Sequence, residues 1–135
     1  MNPNLIDAAL ESHLLTLPDT PPIAWEDVSF KPKTGEAYLE VRQLRNAPVD
    51  HAITDDMRED FGILQLTAVY PAGGGKVQAL DLANRLANHF ARPLRVPLDG
   101  GARVTVYKSP AIGSGYPDEG WYRVPVSISW RAGSR

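Results

Sequence analysis

The chain of 135 residues contains no cysteine, and this absence excludes several kinds of chemistry. Disulfide bonds, zinc sites with thiolate ligands and thiol catalysis all require that side chain. The first ten residues, MNPNLIDAAL, also lack the basic start and long apolar core of a signal peptide. We therefore expect the protein to reside in a reducing interior or in an assembly that is built there.

Long apolar runs and an excess of one charge are absent as well. No stretch approaches the ~18 apolar residues of a membrane-spanning helix, so we expect no membrane contact. The formal net charge is −2, with basic residues scattered among acidic ones. Because nucleic-acid binders need a dense basic surface, the composition predicts no direct nucleic-acid recognition. A chain of this length is expected to bury one core in a single domain, residues 1–135.

What the chain does contain is a strand, a glycine turn and a helix in direct succession over residues 61–90. Apolar residues recur with a period of two over 61–70, which predicts a strand. Three glycines at 73–75 end it. Over residues 76–90, apolar side chains fall within an arc of about 160° at 100° per residue, which predicts a helix that covers a sheet. These helical residues are Ala79, Leu80, Leu82, Ala83, Leu86, Ala87 and Phe90.

Similar patterns predict one more helix and further strands. The predicted elements are a helix over 3–15 and strands over 23–26, 37–44, 94–96, 103–107, 110–113 and 122–130. Pro125 lacks a backbone donor, so we expect the last strand to lie at an edge or to carry a bulge. No strand–helix unit repeats, and the predicted fold class is α+β, with a mostly antiparallel sheet packed by two helices.

Two polar segments interrupt these elements. Residues 46–60 form a long polar arm without a clear period, and residues 109–120 are rich in glycine. Connections of this length inside a compact domain are usually functional or disordered. If 37–44 and 61–70 pair as a hairpin, the arm projects from the sheet. A solvated, mobile linker is the alternative.

Motifs for catalysis or ligand binding are incomplete. A phosphate loop would need a glycine where Tyr70 stands and a hydroxyl where Val77 stands. Ser114 lacks the spacing of a nucleophile elbow. The three histidines lie far apart in sequence, His13 in the last turn of the first helix and His89 on the wet side of the second. Trp121, among glycines, is expected to be exposed, whereas Trp130 continues an apolar strand face.

The order of these segments resembles a known family. A strand with LEVR (39–42), a charged arm, a strand ending in VYP (69–71), the turn AGGGK (72–76) and the apolar helix are similar to small bacteriophage tail terminator proteins. The terminal strand 122–130, followed almost at once by the chain end, is similar too. The resemblance covers most of the chain from residue 37 onward.

The resemblance implies a non-enzymatic subunit of a closed homo-oligomeric ring, a hexamer, without a cofactor or catalytic residues. Such a ring sits on the tail tube protein, ends tube polymerisation and offers a surface to a head-completion protein. It would be encoded by a phage or prophage, assembled in the host bacterial cytoplasm and located in the virion tail. A related tail-completion or head–tail connector protein is an alternative within the same class.

We expect the assembly surfaces to lie in or beside the two polar segments. The candidate residues are Arg45, Asp50, His51, Asp55, Asp56, Arg58, Glu59, Tyr116, Asp118, Glu119 and Trp121. Two hypotheses from other classes stay open. One is a small-molecule or metal-binding domain or weak enzyme, with a pocket between the 76–90 helix and the sheet and with polar groups from His51, Asp55 and Asp56, beside Asp50. The other is a host structural adaptor.

Overall fold

A computed structural model describes residues 2–47, 49–50, 58–98 and 100–133 of the chain. The elements are α1 (Pro3–Leu15), β1 (Ile23–Ala24), β2 (Tyr38–Arg45), β3 (Val49–Asp50), β4 (Arg58–Pro71), α2 (Val77–His89), β5 (Leu94–Pro97), β6 (Arg103–Val106), β7 (Ala111–Ile112), β8 (Tyr116–Asp118) and β9 (Trp121–Gly133). They confirm the α+β class and both predicted helices. No helix in these ranges is long and apolar enough to cross a membrane.

The sheet is built around the long antiparallel pair of β4 and β9. Its order through the described residues is β1-β2-β4-β9-β6-β5, and β1 is parallel to β2 while the other pairs are antiparallel. The predicted hairpin between 37–44 and 61–70 is confirmed as the β2–β4 ladder. β7 and β8 pair with β9, and β3 pairs with the start of β4.

Both helices pack on the same face of this sheet and join one buried core. The predicted stripe of α2 is confirmed, because Leu82 and Leu86 are buried against the sheet while Asp81 is exposed. The strands supply Leu39, Val41, Leu64, Leu66, Ala68, Val124, Val126, Ile128 and Trp130 to this core. At the start of α1 the side chain of Asn2 accepts a hydrogen bond from the Asn4 backbone at 2.9 Å, which satisfies one free donor of the first turn.

Pro125 lies in a central strand, so the prediction of an edge strand is wrong. The register of β9 with β4 runs without interruption through Thr67 and Pro125, so no bulge occurs there either. The Pro125 carbonyl accepts from the Gly113 backbone N–H at 2.8 Å. Pro125 has no N–H to return the second bond of this pair, and the β7–β9 ladder ends at Ile112. A Cβ on Gly113 would approach Pro125 Cγ to 2.9 Å, so glycine permits this contact.

Two short paired segments lie within the arm predicted over residues 46–60. β4 begins at Arg58, and its first two residues pair with Val49 and Asp50 of β3. Charged residues in these short strands hide the apolar alternation on which a strand prediction depends. Residues 51–57, which join the two strands, lie outside the described part of the chain.

Leu86→Asp should abolish the fold, because an unpaired buried carboxylate costs several kcal/mol against a typical free energy of unfolding of ~5–15 kcal/mol. Leu86 has no exposed surface. Circular dichroism melting tests this expectation, with Asp81→Ala on the exposed side of α2 as the matched control. A Leu86→Asp variant that melts like the parent would show that we have misassigned the buried face.

Gly62→Ala should lower the free energy of unfolding by roughly 1–3 kcal/mol through overpacking. A Cβ at this position would lie 2.3 Å from Trp130 Cζ2 and 2.6 Å from the Leu44 carbonyl oxygen, which cannot move without disturbing the ladder. Gly74→Ala is the control, since the nearest atom there is 3.9 Å away. Equal denaturant midpoints for the two variants would contradict the close approach of Gly62 and Trp130.

Candidate assembly surfaces

The predicted assembly residues fall at opposite ends of the central strand pair. Asp50, Arg58 and Glu59 lie where β4 begins, and residues 116–121 lie where β9 begins. The paired stretch of β4 runs from residue 60 to residue 71, which spans roughly 36 Å at ~3.3 Å per residue. His51, Asp55 and Asp56, which are the polar groups of the pocket hypothesis, lie outside the described residues.

A tight hairpin of β8 and β9 forms the surface at the end of the sheet where β9 begins. Glu119 and Gly120 connect β8 to β9 with φ values of 46° and 87°, the left-handed pair of a two-residue type I′ turn. Tyr116 is 47% exposed. The Gly120 carbonyl accepts from the Ala72 backbone N–H at 2.9 Å and so ties this hairpin to the glycine turn after β4.

Arg123, on the β9 strand of the same hairpin, links it to β2. Its Nη1 donates to Glu40 Oε2 at 3.1 Å and its Nη2 to the Tyr38 hydroxyl at 3.3 Å. Its Nε lies 2.9 Å from Asp118 Oδ2, an ion pair without a well-aligned hydrogen bond. Burial lowers the pKa of Arg123, but the hydrogen bond and charge of Glu40, with smaller effects of Tyr38 and Asp118, raise it by more. Asp118 therefore helps to hold the hairpin in place.

Trp121 is half-buried, where the sequence predicted exposure. Its ring packs edge-on against Tyr38, with ring centroids 5.3 Å apart. Tyr38 in turn packs against Phe30, with ring centroids 5.0 Å apart. Beside it lies a pocket of about 400 Å³. The pocket is lined by Ala72, Gly73, Gly75, Lys76, Pro117, Trp121 and Tyr122. It touches the predicted 76–90 helix only at Lys76, and its lining includes no carboxylate or imidazole.

Arg45 does not project from the arm end but turns towards α1, where it forms an ion pair with Asp7. The pair lies in a groove of about 650 Å³ between α1, β2 and the segment after β1, here called the acidic groove. Its lining residues are Asn4, Asp7, Ala8, Glu11, Trp25, Glu26, Val28, Gln43 and Arg45. Sequence reasoning missed this groove, because its residues are spread from 4 to 45 without a motif.

The carboxylates of the acidic groove affect each other. Burial, and then the charges of Asp7 and Glu26, raise the pKa of Glu11 above its ordinary value, although a hydrogen bond from Gln43 and the charge of Arg45 oppose the shift. The Glu26 carboxylate accepts a hydrogen bond from the Gln43 backbone N–H. It thereby binds a donor on the edge of β2, beyond the residues that pair with β1. The groove thus combines three carboxylates with one arginine.

His13 and His89, distant in sequence, stack face to face with ring centroids 4.2 Å apart. The Nε2–H of each ring donates to the backbone carbonyl of the other residue, at 2.8 and 2.7 Å. Each ring thereby caps the last turn of the other helix. Over the described residues, no group of three or more His, Cys, Asp or Glu side chains is arranged to hold a metal ion.

The sheet face opposite the helices, here called the open face, carries no helix among the described residues. Half-buried apolar side chains lie near its arm end, namely Leu44, Phe61, Ile63 and Tyr107. Exposed arginines accompany them, namely Arg42, Arg95, Arg103 and Arg131. Aromatic and arginine side chains around an apolar centre are typical of protein interfaces.

A protein-family model described as phage tail terminator protein matches residues 5–130. The chain belongs to the phage tail terminator family. A solved structure whose name states no function is 27% identical and superimposes with a TM-score of 0.78 over 98% of this chain and 96% of the other. The search of curated proteins gave no match. The resemblance predicted from the residues is confirmed, and membership of this structural family gives the chain a role in phage tail assembly and a location in the virion tail.

Glu11→Gln should make stability less dependent on pH. A carboxyl whose pKa is raised in the folded state binds its proton more tightly there, so stability falls as pH rises from the ordinary glutamate pKa to the raised one. The variant should lose this fall and melt at a higher temperature than the parent at pH 7. Melting curves between pH 4 and 8 test this, with exposed Glu36→Gln as control. Parallel curves for Glu11→Gln and the parent would contradict it.

Proposed function

We propose that the chain is the repeating subunit of a closed ring, a hexamer, that caps the phage tail tube and joins it to the head. The family match over residues 5–130 carries this proposal. In this role the protein works through shape and self-association, without catalysis or a cofactor. Its partners are further copies of itself, the tail tube protein and a head-completion protein.

The arrangement of the surfaces fits a subunit placed between two partners. A protein that stops a tube and receives a head needs separate contacts for each, held at a fixed distance. The polar segments at the two ends of the β4–β9 pair supply such contacts, and the continuous ladder between them provides the rigid spacing. Because a closed ring uses two different patches on each subunit, the sides of the sheet must supply the contacts between copies.

Synthesis and ring assembly take place in the host bacterial cytoplasm, from a phage or prophage genome. The residues assigned to the tube and head contacts are those at the two strand ends, including Glu59, Tyr116 and Glu119, together with 51–57. Contact with a membrane and direct nucleic-acid recognition have no part in this proposal.

Tube growth in the presence of the protein tests the proposal. Purified tail tube protein of the same phage should polymerise to longer tubes alone than with the parent chain, because a bound ring blocks the growing end. Electron micrographs give the tube lengths and show rings at the tips, and Leu86→Asp serves as the unfolded control. Equal tube lengths with and without the parent, together with a strictly monomeric parent, would overturn the proposed function.

A further inference from the structure

Three exposed arginines lie together near one side of the sheet and are here called the arginine edge. Arg95 on β5 pairs in register with Thr105, which pairs with Arg131 on β9. Arg103 on β6 lies two residues from Thr105 and so projects from the same face. All three side chains are exposed on the open face. The arginine edge is therefore a concentrated positive patch on a chain whose net charge is −2.

The acidic groove has the opposite character. It contains the carboxylates of Asp7, Glu11 and Glu26, with Arg45 as the arginine among its lining residues. Three carboxylates against one arginine leave the groove with net negative charge, so it favours a ligand that brings N–H donors and positive charge.

The two surfaces lie on opposite faces of the sheet. Gln43 of the acidic groove pairs in register with Leu64, whose side chain is buried under the helices, so the groove lies on the helix-covered face beside β1 and β2. Arg95, Arg103 and Arg131 project from the open face on β5, β6 and β9. Complementary patches on opposite sides of one subunit are the requirement for a head-to-tail contact that closes into a ring.

We infer that Arg95, Arg103 and Arg131 of one copy dock against the acidic groove of the next copy in the ring. This inference rests on the proposed function and names the surfaces that hold neighbouring subunits together. Each guanidinium offers five N–H donors in a planar fork, which suits carboxylates such as those of Asp7, Glu11 and Glu26. The half-buried Phe61, next to Arg131 in the ladder, adds apolar contact area beside the ion pairs.

Charge reversal on either surface should break the contact. In Glu11→Arg with Glu26→Arg the groove carries three arginines against Asp7 and repels the arginine edge of the neighbour, and in Arg103→Glu with Arg131→Glu the edge becomes net negative and repels the groove. Size exclusion with light scattering should give each variant alone the monomer mass of 14.8 kDa. At the same concentrations the parent should give a mass several-fold higher. The samples are measured with and without tail tubes, since the tube can act as a template.

Mixing the two variants provides the sharper test. The first variant keeps a normal arginine edge, and the second keeps a normal acidic groove, so these two surfaces can bind each other. The remaining contact pairs the two new glutamates of one variant with the two new arginines of the other, which is again attractive. The equimolar mixture should therefore recover the mass of the parent, as an alternating ring with an even number of subunits, such as a hexamer.

Two control variants reverse charges elsewhere. Lys33→Glu lies in the exposed loop before β2, and Asp81→Arg lies on the exposed side of α2. Both should assemble like the parent, and circular dichroism should show that all variants fold.

The outcomes separate the two proposals. If the parent shortens tubes but the reversed variants assemble and shorten them equally well, the inferred contact is wrong and the proposed function stands. If the mixture stays monomeric while the parent assembles, the pairing of these two surfaces is likewise overturned. A parent that neither assembles nor shortens tubes would overturn both.

Discussion

The ladder between β4 and β9 is the constraint on which the rest of this structure depends. Because side chains alternate along a strand, a slip of one residue would move the buried set, including Leu66 and Val126, to the opposite face. Both described helices cover the face on which that set lies. The register therefore decides at once which face forms the core, which face stays open and which segments lie at the two ends.

This constraint also explains how a small α+β domain can serve assembly. Polar and charged residues that the core excludes lie at the strand ends, in the acidic groove or on the open face. Since the β4–β9 pair runs through the centre of the sheet, the surfaces at its two ends are held roughly 36 Å apart. A subunit of this kind can contact a tube, a head and two neighbouring copies without changing its own fold, which is the behaviour that we propose for this member of the tail terminator family.

The sequence predicted those features that depend on local periodicity. The stripe around Leu86, the alternation that ends at Trp130 and the family resemblance all follow from apolar spacing and turn residues. Features made by pairing between distant segments were missed. Pro125 was placed at an edge because one sequence cannot show that the strand opposite it is interrupted, and the stacking of His13 on His89 arises only where two helix ends meet. The acidic groove was missed for the same reason.

Electron cryomicroscopy of tail tubes capped by this protein would show the proposed ring and its contacts together. We expect a ring at the tube end in which the β5–β6 side of every copy faces α1 of the next copy, with Arg103 and Arg131 close to Glu11. We also expect the β4–β9 ladder to keep the register that it has in the isolated chain. A ring built from symmetric contacts between identical patches, or tube ends without any copy of this chain, would contradict the proposed contact and the proposed ring.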